Sequence, residues 1–315
     1  MTEARWQAWG QHLAIAAAYG ALYEVTRHLS FPQWMLTAGL RLACLLLLPT
    51  RYWPALAVGE GLPLLENAFF LAPDFGVAWA VSESVPMVVL WMALLKPLRQ
   101  RWPLHDDQGR IRMPVILSAA LGAAIITAAA TLLTAVTAIL NTPTGEWPDP
   151  NTAWPGYFLA YTLGAYLGAL TLTPTVLALR ERFLALDGQP LSVTRIWHSA
   201  LFRDVLGWVL PTLATLTWIA VHTHDDTVQQ AARLALIGPV LVLAWRHGWH
   251  GTAVGGMAAS IALAITAPGV LADPATLRVQ AILALVVSGG LLVGAWAAAR
   301  AKAKATHAGS RTAHL

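Results

Sequence analysis

Residues 56–70 read LAVGEGLPLLENAFF, a run apolar enough to sit in lipid that nevertheless carries Glu60 and Glu66. A carboxylate in hydrocarbon costs several kcal/mol unless something shares its charge. The rest of the chain settles which solvent the run belongs to. Of 315 residues, 57% are hydrophobic and only 11% charged, where a soluble domain has about 25% charged. Most of the chain must therefore lie in a bilayer, and one crossing takes roughly 20 residues.

Ten apolar segments, at 8–29, 34–49, 53–72, 75–96, 113–140, 155–179, 204–222, 232–246, 250–270 and 277–299, are separated by polar or proline-bearing breaks. The runs are continuous rather than alternating, which predicts helices and excludes a β-barrel. The fold class expected is all-α: a polytopic transmembrane helical bundle of about 8–10 spans. Residues 1–300 form one integral membrane domain and 301–315 a short basic tail.

The charges are arranged for a membrane. Arg99, Arg101, Arg110 and Arg112 share one break, Arg180, Arg182, Arg195 and Arg203 another, and Arg300, Lys302, Lys304 and Arg311 the tail. The intervening breaks 141–154, 223–231 and 271–277 hold no Lys or Arg. This alternation predicts cytoplasmic termini. The net charge of +4 sits in short loops, which argues against a nucleic-acid partner and for the lipid bilayer. Trp147, Trp154, Trp53, Trp102 and Trp197 stand at segment edges, as interfacial aromatics do. The single cysteine, Cys44, excludes an intramolecular disulfide. No P-loop, GxSxG or HExxH occurs, no enzyme activity is expected, and no cofactor is expected.

Ionisable residues inside spans mark function by default. Counted from the outer helix ends, Glu24 lies about 8 Å deep, Arg41 and Glu66 about 10 Å, and Glu83 about 12 Å. These four are expected to share one layer, with Arg41 pairing Glu66 or Glu83. Glu60 lies deeper, without a partner at its own depth, and is the carboxyl expected to carry a proton. Ser82-Glu83-Ser84-Val85-Pro86 predicts a broken helix beside a carboxylate. No metal site is expected: His222 to Asp226 reads as a solvated loop, and His247 and His250 as a turn against lipid headgroups. Gly164/Gly168, Gly251/Gly255 and Gly290/Gly294 are spaced for close helix contact, with packing inside one chain favoured over a homodimer.

The stretch WMLTAGLRLACLLLLPTRYWPALAVGE, residues 34–60, resembles the signature of a bacterial membrane-associated sensor domain, the first type of the MASE family. Trp34, Gly39, Arg51, Tyr52, Trp53, Pro54 and Gly59 fit it in order, and Asn67 falls where the family often has Asn. TLGAYLGALTLTP, residues 162–174, matches a second segment through Gly168 and Pro174, with Ala165 where the family often has an acidic residue. The resemblance implies a sensor of the bacterial inner membrane. Such domains typically feed a cytoplasmic kinase or cyclase; this sequence holds none, so signalling to a partner in trans is expected. Proton-coupled transport of a small solute or ion through the same carboxylates is the alternative.

Overall fold

The computed structural model describes residues 3–106, 111–141, 150–184, 199–267 and 271–312. Trp147, Trp197, Arg110 and Arg195, placed above in breaks, lie outside them. The structure is 89% helical and without strands among the described residues, so the bundle class holds.

The helices are α1 (Glu3–His28), α2 (Leu36–Leu47), α3 (Trp53–Phe75), α4 (Val77–Glu83), α5 (Met87–Arg101), α6 (Met113–Asn141) and α7 (Pro150–Leu184). After them come α8 (Ala200–His222), α9 (Asp226–Ala235), α10 (Ile237–Thr266) and α11 (Pro274–Thr312). Each of the ten apolar segments falls on helix. α11 continues through Lys302 and Lys304 into the segment expected as a short basic tail, because Ala, Lys and Arg are strong helix formers.

Among the described residues, six helices are long and apolar enough to cross a bilayer, or seven if the bent pair α4–α5 is one span. That is fewer than the 8–10 expected: α1 has 26 residues but is not apolar enough, and other segments differ in length. α2 has only 12 residues, about 18 Å, too short to cross alone. The stretch Asp226–Thr266 counts as one candidate yet doubles back at Gly248, whose φ of 59° only glycine adopts readily. A Cβ on Gly255 would lie 3.4 Å from the Val240 Cα, a contact impossible along one straight helix. The sequence break near 246–250 is this hairpin.

By internal packing the chain divides into two compact units. The first comprises residues 1–102, 118–169 and 270–277, and the second 103–117, 170–269 and 278–315. In the first, α1 and α3 cross with backbones nearly touching: a Cβ on Gly59 would collide with the Ala16 carbonyl oxygen, and one on Gly20 would sit 2.9 Å from the Gly59 carbonyl oxygen. Gly164 and Gly168 of α7 receive the Pro32 and Met35 carbonyls, and the Met35 N–H donates to Gly164 O at 3.0 Å. In the second unit, Gly251 and Gly255 pack on Leu243, and Gly290 and Gly294 on Thr252 and Trp249. All three small-residue spacings serve packing inside the chain.

α2 ends at Leu47 because Pro49 follows, and Arg99 of α5 closes that end by donating to the Leu45 and Leu48 carbonyls at 2.6 and 2.9 Å. The buried side chains of this unit include Leu42, Leu45, Leu56, Trp91 and Leu95. Gly59→Ala should overpack the α1–α3 crossing and cost about 1–3 kcal/mol. Gly289→Ala, facing open space, should stabilise by less than about 1 kcal/mol through helix propensity. Reversible unfolding of both variants in detergent measures the contrast.

Candidate functional site

Glu60 has a partner after all. Its Oε2 accepts from Arg41 Nε at 2.9 Å and from the Tyr19 hydroxyl at 2.9 Å, while its Oε1 accepts from the Val88 backbone N–H at 3.2 Å. The two charged side chains are 7% (Arg41) and 0% (Glu60) exposed. Three donors converge on one side chain, the arrangement an acceptor-only carboxylate satisfies.

Each donor has a local cause. Tyr19 and Tyr23 stand one turn apart on α1 and face α2 and α3. The Tyr23 hydroxyl accepts from Arg41 Nη2 at 3.5 Å, and the guanidinium carbon lies 5.4 Å from the Tyr23 ring centroid and 5.9 Å from that of Trp91. Aromatic faces thus surround the part of the cation that Glu60 does not reach. Trp91 is fixed in turn by donating to Thr127 Oγ1 at 3.2 Å. Val88 owes its free N–H to the predicted break. α4 stops at Glu83, Pro86 caps α5, and the pair is bent by 40°. The amides in the first turn of a helix have no intrahelical acceptor, and such an end favours negative charge. The break therefore aims an unpaired N–H at Glu60. The serine hydroxyls fall elsewhere, Ser82 on the Trp79 carbonyl and Ser84 on that of Ala80.

Arg41 does not pair with Glu66 or Glu83 as expected; its partner is Glu60. Arg41 was placed with Glu66 and Glu83 by counting down from the outer helix ends. α2 is too short for that ruler: counted from its other end, Arg41 is six residues from Leu47 and Glu60 seven from Trp53, about 9 and 10 Å. By that measure the two share a depth. Glu24 instead sits beside its own helix's Arg27 and His28, at 3.6 and 3.7 Å. Glu83 is half-buried, makes no hydrogen bond or ion pair among the described residues, and feels Arg27 and Arg41 only through space. Glu66 is exposed on α3. Sequence reasoning missed Tyr19, Tyr23 and Trp91; tyrosines four apart on an apolar helix were the available signal.

The second unit holds its own polar features. Asp204 Oδ2 accepts from Arg246 Nη1 at 2.9 Å and from His247 Nε2 at 2.8 Å, and His250 Nε2 lies 3.9 Å from Glu181. The Gly248 turn expected against lipid headgroups is thus held by protein carboxylates. Asp225 caps α9, accepting from the Thr227 and Val228 N–H groups at 2.8 and 3.2 Å. Arg233, passed over in the sequence, is buried and donates to the Thr266 carbonyl. A cavity of about 760 Å³ opens among Asp106, Arg112, Glu181, His250, Leu292 and Trp296.

Removing one partner of a buried pair leaves the other charge stranded. Glu60→Ala should cost about 3–5 kcal/mol, whereas Glu66→Gln at its exposed position should stay within about 0.5 kcal/mol. Unfolding of the purified variants in detergent gives both values.

The family signature acquires physical roles in this fold. Trp34 and Trp53 are buried, Gly59 makes the α1 crossing, Gly168 admits the Met35 carbonyl, and the Tyr52 hydroxyl donates to Gln11 Oε1 at 3.0 Å. A family model, MASE1, matches residues 11–301. No curated protein and no solved structure matches the chain. The match spans nearly the whole helical bundle, and the chain belongs to the MASE1 family of membrane sensory domains, as an integral multi-pass membrane protein.

Proposed function

We propose that the chain is a non-enzymatic sensor of the bacterial inner membrane with cytoplasmic termini. It would register a small ligand or a membrane partner as a change in helix packing and pass that change to a separate signalling protein. The observation that carries this reading is the buried Arg41–Glu60 pair. It ties α1, α2, α3 and the start of α5 at one point through hydrogen bonds of defined length. Such a clasp is discrete. Helix shifts in switching proteins are about 1–2 Å, enough to turn a 2.9 Å contact into no contact. Membership in a family of membrane sensory domains supports the same reading. The cavity of about 760 Å³ in the second unit falls within the usual size of small-molecule sites, about 300–1,000 Å³, and is where a ligand would find room.

The rival reading, transport coupled to these carboxylates, requires that Glu60 meet water on alternating sides. Proteoliposomes with an internal pH dye test it. Under an imposed proton gradient the sensor reading predicts no proton flux beyond protein-free vesicles. A flux that Glu60→Gln abolishes contradicts it. In cells, an Arg41→Lys variant present in the membrane at the wild-type level should reproduce the transcriptional or second-messenger phenotype of deleting the gene, since Lys carries the charge without the Nε fork or the stacking surface.

A further inference from the structure

Glu66 is the second carboxylate of the opening run, and the fold does nothing to neutralise it. It is exposed, and among the described residues no hydrogen bond or ion pair reaches it. It lies nine residues before the end of the 26-residue apolar span Thr50–Phe75, about 10 Å inside a ~30 Å hydrocarbon core centred on that span. Lipid chains offer it neither charge nor hydrogen bond, so something outside the described fold must.

The surface around Glu66 has the form of a helix-packing seam. Val58, Leu62, Leu65 and Phe69 are 54, 64, 54 and 77% exposed. Their intervals of four, three and four residues are those of a knobs-into-holes stripe. Glu66 stands beside this stripe, one turn from Leu62 and one turn from the exposed Phe70. The Phe69 and Phe70 rings meet edge to face at 5.7 Å, forming an apolar shoulder on one side of the carboxylate.

We propose that this face docks a transmembrane helix of a different protein carrying an arginine or lysine at the depth of Glu66. Charge complementarity selects that occupant over lipid, because an ion pair inside the bilayer satisfies both partners where hydrocarbon satisfies neither. It also selects against a second copy of this chain. A twofold interface sets the same patch against itself and would bring one Glu66 towards another. The inference stands whether the chain senses or transports.

The test uses a hydrophobic Leu/Ala peptide of transmembrane length bearing one arginine about seven residues from its outer end, acceptor-labelled, and the donor-labelled full chain, both in phosphatidylcholine vesicles. Energy transfer should saturate for the arginine peptide. Its affinity should fall at least tenfold on Glu66→Gln, and likewise when leucine replaces the peptide's arginine. Phe69→Ala, which keeps the charge and removes the shoulder, should weaken the association less. Equal association of arginine and leucine peptides, unchanged binding to Glu66→Gln, or no saturable binding of the arginine peptide would each overturn the proposal. So would transfer between two labelled copies of the chain that Glu66→Gln removes.

Discussion

Burying a guanidinium and a carboxylate inside an apolar bundle is costly for either group alone and bearable for both only in close, fully hydrogen-bonded geometry, and the first unit is arranged around meeting that condition at Arg41 and Glu60. Arg41 reaches Glu60 because α2 is short and closed by Arg99. Glu60 is brought close to α1 because Gly59 and Gly20 let the two backbones nearly touch. That approach sets the Tyr19 hydroxyl on the carboxylate. The kink before Pro86 spends a helix break on one amide, that of Val88, and that amide supplies the remaining donor. Four sequence features far apart in the chain thus serve one carboxylate.

The same condition divides the opening run. Glu60 and Glu66 lie six residues apart on one helix, separated by Pro63, yet face opposite surroundings. One is sealed among protein donors and the other looks out of the bundle. Six residues is 600° of helical rotation, so the two project about 120° apart. A single amphipathic face could not have held both. The inward carboxylate fixes the fold, and the outward one is left to an encounter.

Much of the architecture was legible because long apolar runs in lipid have only one way to satisfy their backbone. The segments, the α4–α5 break and the in-chain use of the small-residue spacings could all be read from residue type and position. The pairing within the site could not. Depth counted from one surface fails for a 12-residue helix, less than half as long as α6 or α7. A backbone N–H such as that of Val88 carries no residue identity, so no sequence pattern announces it as a ligand for a carboxylate. Tyr19 and Tyr23 looked like ordinary apolar helix residues, because their hydroxyls acquire meaning only against α2 and α3. The reversal at Gly248 was visible as a break, but the ion pairs of Asp204 with Arg246 and His247 depend on residues over forty positions apart.

The most direct measurement of this account is a double-mutant cycle on the pair, with Arg41→Met, Glu60→Leu and the combined variant unfolded reversibly in the same detergent. If the two charges stabilise the bundle through each other, removing both should cost less than the sum of the single losses, with a coupling energy of about 0.5–3 kcal/mol. Losses that simply add, within about 0.5 kcal/mol, would show that the two residues act independently and would contradict the account.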